Sequence, residues 1–435
     1  MIGTIAMIAL RNVTQHSRRS ALVGGAVAVV SALLTLASGL LASTEARIRD
    51  SAVAIFSGEL NVHGLYKPSA SRVEPVLLQS EAIAQEIKAV VPEATLVPRW
   101  VGLGTVSSPA SAARDLIIMG LRVESEPRLK KALRLVSGTL ADLGQPGAIV
   151  ISEEWAKKLK VSVGDQVVMT GINHRRAYNA VDATVVGVAH NVPGGLLSFV
   201  VLASETTVRE LYGFGPDQIS SWQVQLPEDA DLGGLQERLH RTLESETRRG
   251  QEPLEEPWPW KKLRLEGESW VGSRLEVTRW DQEVALQAQN LRMIDALVRL
   301  VGAVLLLFAA GGLMNTLWLA VRERTQEIGT LRAIGMGRGS VVMMFVFEAF
   351  LLSLLGAVLG AVLGEAIGEG IGHAGVAVPE GLRLMMGSSD SLGFAFAPRA
   401  TLSALLSVAV ATTLPSFFPA LLASRIPPVV AMSKD

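Results

Sequence analysis

Four windows nearly free of charge constrain this chain more than any other feature. Residues 20–44, 300–321 and 400–424 contain no Asp, Glu, Lys or Arg, and residues 339–364 contain only Glu348. A hydrocarbon layer roughly 30 Å thick takes about 20 apolar residues of helix at a rise of about 1.5 Å, so each window can cross a bilayer. The first window follows Arg18 and Arg19 as a secretory signal would. The apolar part of such a signal runs only about 7–15 residues, so this longer stretch reads as a retained anchor.

Positive charge sets the expected orientation. Residues 1–19 carry Arg11, Arg18 and Arg19 with no acid, and residues 322–338 carry four arginines, whereas 365–399 carry two arginines against four acids. Both termini and the 322–338 segment are therefore expected in the cytoplasm. Ile2, Ile5, Ile8 or Ala9, and Leu10 recur at helical spacing, which suits a helix lying on the membrane surface. The expected fold class is an α-helical membrane protein with four transmembrane helices, one plus three, and a large α+β extracytoplasmic domain between helices 1 and 2. Its segments are a cytoplasmic amphipathic helix (1–19), the first span (20–44), the external domain (45–285), a stalk and second span (286–321) and a cytoplasmic helix (322–338). The third span (339–364), a short external loop (365–399), the fourth span (400–424) and a cytoplasmic tail (425–435) complete it.

Several function classes drop out. The 40 Lys+Arg and 41 Asp+Glu give a net charge of -1, which leaves no overall basic field to hold nucleic acid. There are no cysteines, which removes disulfides, thiol catalysis and Cys-ligated metals. Histidines 16, 63, 174, 190, 240 and 373 lack metal-site spacing, so no metal site is expected. No Gly-Lys dipeptide occurs, so this sequence has no P-loop for ATP. Ser388, Ser389, Asp390 and Ser391 form a polar cluster without a nearby base. It reads as a solvated loop, and no catalytic residue is expected.

Between the first two spans the composition is that of a soluble fold. A β-like piece at 58–63 precedes an amphipathic helix at 79–90. Strands are expected at 116–119, 148–151, 166–169, 183–188, 199–202 and 222–226, alternating with helices at 153–159, 205–212 and 232–246. Residues 252–260, with three prolines and two tryptophans, read as an irregular or edge segment. From 273 to 321 only glycines interrupt a helical reading, so one helix about 70 Å long is expected. Asp295 and Arg299 can pair one turn apart on it, as interfacial anchors.

Inside the spans, Glu348 reads either as a proton relay or substrate contact or as a neutral or hydrogen-bonded acid between helices; an unpaired charge there costs about 2.5–3.5 kcal/mol. Gly356, Gly360, Gly364, Gly368 and Gly372 recur every four residues, so they share one helical face and let another helix approach closely. In the 322–338 segment Ile328, Leu331 and Ile334 share a helical face and Gly335, Gly337 and Gly339 end the helix. An amphipathic helix this short suits a groove in a partner protein.

The runs E-R-T-Q-E-I-G-T-L-R-A-I-G from Glu323, F-E-A-F-L-L-S-L-L-G-A-V-L-G from Phe347 and F-P-A-L-L-A-S-R-I-P-P from Phe418 resemble the FtsX-like permease family of ABC transporters. That mechanotransmission class includes lipoprotein-releasing and macrolide-exporter permeases. Weaker matches in the external domain, S-G-E-L-N-V-H from Ser57, Gly120, S-G-T-L from Ser137 and L-K-V-S-V-G-D from Leu159, stand in the order of the lipoprotein-releasing type. The resemblance implies that Arg324, Glu327, Ile328, Leu331, Arg332, Ala333 and Gly335 lie where the permease docks on an ATPase. It also implies an ABC ATPase dimer carrying ATP and Mg, no cofactor on this chain, and a second permease copy or paralogue. The expected setting is the bacterial inner membrane, in contact with membrane lipids. Release of lipoproteins is the leading expectation, with a periplasmic carrier or adaptor as a further partner. In such permeases a long hairpin captures the carrier, and here residues 171–180 are short. Export of drugs or peptides and signalling to a cell-wall hydrolase are the alternatives.

Overall fold

The computed structural model describes residues 17–69, 72–192, 195–227, 229–244, 255–378 and 391–427. The expected surface helix at 1–19 lies almost wholly outside them, as do residues 388–390 of the polar cluster and most of the C-terminal tail. The chain divides into two compact units, one of residues 1–45, 291–377 and 391–435, the other of 46–290 and 378–390.

In the helical unit, four helices among the described residues are long and apolar enough to cross a membrane. The first runs Ser17–Ser51, the second Ala285–Glu323 and the third Arg338–Ala374. The fourth is broken: Pro398–Thr413, a 3-10 turn at Leu414–Ser416, then Phe417–Arg425. Pro415 accounts for the break, because its ring removes a backbone donor and clashes with the preceding turn. The helices outrun their uncharged windows, since a solvated Glu365 or Glu369 does not end a helix as Gly375 does, at φ +60°. The first ten residues of the expected loop at 365–399 are thus helical.

Among the described residues, thirteen strands build the other unit. They are β1 (Leu60–Ser69), β2 (Arg72–Glu74), β3 (Leu77–Leu78), β4 (Thr95–Ser107), β5 (Ala112–Leu121), β6 (Leu135–Gly138) and β7 (Ala148–Ser152). After them come β8 (Gln166–Ile172), β9 (Tyr178–Ala189), β10 (Val200–Ser204), β11 (Gln218–Ile219), β12 (Ser221–Gln225) and β13 (Gly272–Arg279). One sheet of eleven strands runs β13-β1-β12-β4-β5-β10-β7-β9-β6, with β2 on β1 and β8 bridging β4 and β9. Because β8 pairs with both, the strands β4, β5, β10, β7, β9 and β8 close into a ring, which leaves none of those six as a free edge. The open part, β13-β1-β12 and the start of β4, carries helices Ser80–Val90 and Leu232–Leu243. Ile83, Ile87, Leu235, Leu239 and Leu243 bury from them into the main core.

Two expectations need correction. Residues 273–279 are strand, not helix: β13 pairs antiparallel with β1 from Leu60↔Arg279 to Lys67↔Gly272, burying Leu275 and Val277. The long helix therefore starts at Ala285 and is about 58 Å long. Residues 258–260 are not irregular but open the helix Trp258–Gly267, with Pro259 in its first turn, where a missing backbone donor costs nothing. Among the described residues, strand β4 is the largest element that the expectation lacked.

Candidate functional site

The residues singled out in the sequence lie on the helix joining the second and third long apolar helices and on the third of these itself. Thr325–Ala333 is a nine-residue helix. Gly335 ends it at φ +108°, a left-handed conformation that a side chain would strain, while Met336 N donates to Leu331 O at 3.0 Å.

One side of this helix is fixed inward. Ile328 is buried among Leu317, Val341, Phe345 and Ala420. Arg324, just before the helix, turns into the bundle and meets Glu348 of the third span at 3.3 Å. Expected separately as a docking residue and a lone acid, these two form one pair, which satisfies the carboxylate that an unpaired position would penalise. The Arg332 guanidinium donates to the carbonyl of Ile426 and ties the helix end to the C-terminal segment. Arg324 and Ile328 are therefore buried on the inner side of this helix.

The other side is open. Glu323, Gln326, Glu327, Thr330, Ala333 and Ile334 are exposed, and Leu331 is half-buried. Ile334 does not share the face of Ile328: the helix ends at Ala333 and the last turn swings Ile334 out to 81% exposure. Glu327, Ala333 and Gly335 lie on this open side.

The glycine face of the third span packs against the first. A Cβ at Gly356 would lie 2.7 Å from the carbonyl oxygen of Gly24, and one at Gly364 would lie 2.6 Å from that of Ala32. Gly360 touches the Ala28 carbonyl in the same way, and Gly368 receives the ring of Phe394. At that closeness the Ser31 hydroxyl reaches across to donate to Ala357 O at 2.7 Å. Asp295 and Arg299 form an exposed ion pair on the second helix. Among the described residues, no group of three His, Asp or Glu could hold a metal ion.

Sequence reasoning missed the Arg332 tether and the glycines of β4 and β8. Gly102 and Gly104, two apart on one strand face, were the available signal for a close approach there.

Two family profiles match the chain: "FtsX-like permease C-terminal" over residues 299–428 and "MacB-like periplasmic core domain" over residues 22–242. A macrolide export ATP-binding/permease protein MacB 1/2 of Paracoccus denitrificans is 26% identical over 256 residues, 58% of this chain and 32% of that protein. A MacB of Bordetella avium is 34% identical over 145 residues, 33% of this chain and 20% of its own length. A pyoverdine export ATP-binding/permease protein PvdT of Pseudomonas aeruginosa is 29% identical over 163 residues, 37% of this chain and 22% of that one. The chain thus spans about a third or less of the curated relatives it matches. Among solved structures, the periplasmic region of MacB from Actinobacillus actinomycetemcomitans covers 51% of this chain and 89% of its own, with TM-score 0.30 and 14% identity. The profiles take in most of the sheet domain and of the four long apolar helices, with the connecting helix, and the chain belongs to the FtsX-like, MacB-type family of ABC transporter permeases.

Proposed function

We propose that this chain converts ATP hydrolysis by a separate ATPase dimer, which holds ATP and Mg, into conformational work in the external domain. The observation that supports this best is the two-sided connecting helix. Glu327, Thr330, Ala333 and Ile334 are free for a partner, while Ile328, Arg324 and Arg332 bind the opposite side to the bundle. A push on the free side would pass to the third span through Glu348 and to the C-terminal segment through Ile426, as rigid-body displacement. Within the spans, Arg324 already pairs with the acid of the third helix, and the hydroxyls of Thr316, Thr412 and Thr413 bond to their own helices. The bilayer portion thus suits a lever better than a conducting path. In this reading two permeases, identical or paralogous, sit in a bacterial inner membrane with both termini cytoplasmic.

For the substrate, relatives named for macrolide and pyoverdine export favour expulsion of small amphiphiles gathered on the external side, with an adaptor as partner. This displaces lipoprotein release as the first choice, and the β8–β9 hairpin turns at residues 173–177 with no long extension to hold a carrier. The test is purification from native membranes, identification of bound molecules by mass spectrometry, and ATPase assay of the complex. Bound lipoprotein in place of small amphiphiles would restore the lipoprotein reading. Glu327→Lys is expected to lower substrate-stimulated ATPase by about tenfold or more, as loss of an interface anchor does, with insertion unchanged. Unchanged stimulation would remove the docking assignment.

A further inference from the structure

Residues 99 and 101–103 of β4 line a cavity of about 680 Å³ in the external domain, within the range of roughly 300–1,000 Å³ usual for small-molecule sites. Asn61 and His63 of β1, and Trp258 and Leu263 of the helix Trp258–Gly267, contribute to the same lining. Of the lining residues, Leu103, Ile172 and Leu263 are 64%, 64% and 70% exposed. Three large apolar side chains held in water around one opening mark a binding surface more readily than scattered ones do.

The wall is built for Tyr212. Its ring lies over Gly102, Gly104 and Gly171: a Cβ at Gly171 would come within 2.9 Å of the ring, and one at Gly104 within 3.0 Å of the hydroxyl. The residue is 2% exposed, and its hydroxyl has no hydrogen-bond partner. Leaving such a group unpaired is costly, and phenylalanine would fill the same space without that cost. Three more buried polar atoms on lining residues are unpartnered: His174 Nε2, Asn61 Nδ2 and Arg99 Nε. Charged side chains line it too: Arg176, Lys262 and Glu266 stand beside Arg99, His63 and Glu283. Arg99 pairs with Glu126 at 3.0 Å, and His63 meets Glu283 at 2.7 Å while stacking on Trp258 at a ring distance of 4.0 Å.

We propose that this cavity binds an amphiphile, a small molecule with a ring-bearing apolar body and acceptor oxygens. The body would lie against Trp258 and the apolar lining, and its oxygens would accept from Tyr212 and Asn61. The assignment needs only the folded external domain and stands apart from the choice of transported substrate.

Dansylamide, an uncharged aromatic with sulfonyl oxygens, tests it on the full chain in detergent, with tryptophan excitation and sensitised dansyl emission as the readout. The expected signal saturates. Leu103→Arg, at an exposed position, is expected to abolish the saturable part without lowering the melting temperature. Tyr212→Phe is expected to weaken binding about tenfold, the worth of one hydrogen bond, with melting unchanged or raised. Emission that only rises linearly with probe in wild type, as micelle partitioning does, or saturable binding that Leu103→Arg leaves intact, would overturn the site. Tyr212→Phe with unaltered binding and reduced melting would overturn the role given to the hydroxyl.

Discussion

Replacing either Arg324 or Glu348 breaks a pair buried in the helical bundle, where the two side chains are 8% and 9% exposed. Removing one member of a buried pair costs about 3–5 kcal/mol, whereas removing both spares the orphaned charge. Arg324→Gln and Glu348→Gln are each expected to lower the melting temperature in detergent, and the double variant to lose much less than the sum. Additive losses in that cycle would show that the pair carries no coupling. His174 gives a second test at this scale. Burial, and then the charge of Arg72, bring its pKa from 6.5 down to about 4, so the folded protein holds it neutral at pH 7. The unfolded chain binds that proton near pH 6.5, so His174 contributes stability above that pH and loses it as pH falls toward 4. Melting followed against pH is expected to fall less steeply across this window in His174→Gln than in wild type. Parallel curves would mean that the histidine is not held neutral.

Elements with an unambiguous local signal were readable before any fold was known. Helices Glu153–Leu159 and Glu205–Tyr212 begin where expected because Ser152 and Ser204 accept from the backbone amides of Trp155 and Thr207, the usual serine cap. The glycine spacing of the third span announced its close packing, and here the consequence is measurable. Gly360→Leu is expected to abolish stable folding, since its side chain would run into the Ala28 carbonyl, whereas Gly370→Ala, with nothing within 4 Å, is expected to be neutral. Equal yields of both in size-exclusion chromatography would contradict the seam. Strand β4 was hidden because Pro98, Gly102 and Gly104 weaken its β signal, and the space left by the two glycines is used by Tyr212, far along the chain. Strand β13 was hidden differently. Its helix-rich continuation past Trp280 masked the alternation of Leu275 and Val277, which only pairing with β1 makes decisive. In the connecting helix, periodicity put Ile328 and Ile334 together. The position of the helix end, set by Gly335, separates them.

At the scale of the whole molecule, the spans and the sheet domain were legible as separate blocks because apolar windows and strand alternation are properties of composition along the chain. The inward turn of Arg324 was not, since it depends on a side chain 24 residues away. What the account requires above all is that residues 322–338 and the sheet domain lie on opposite sides of one membrane, so that force applied to one is delivered to the other. With no native cysteine to remove, single cysteines at exposed Thr330 and exposed Val163 can be challenged in spheroplasts with a membrane-impermeant maleimide. The account predicts that position 163 labels in intact spheroplasts and position 330 only after lysis; labelling of both before lysis would contradict it.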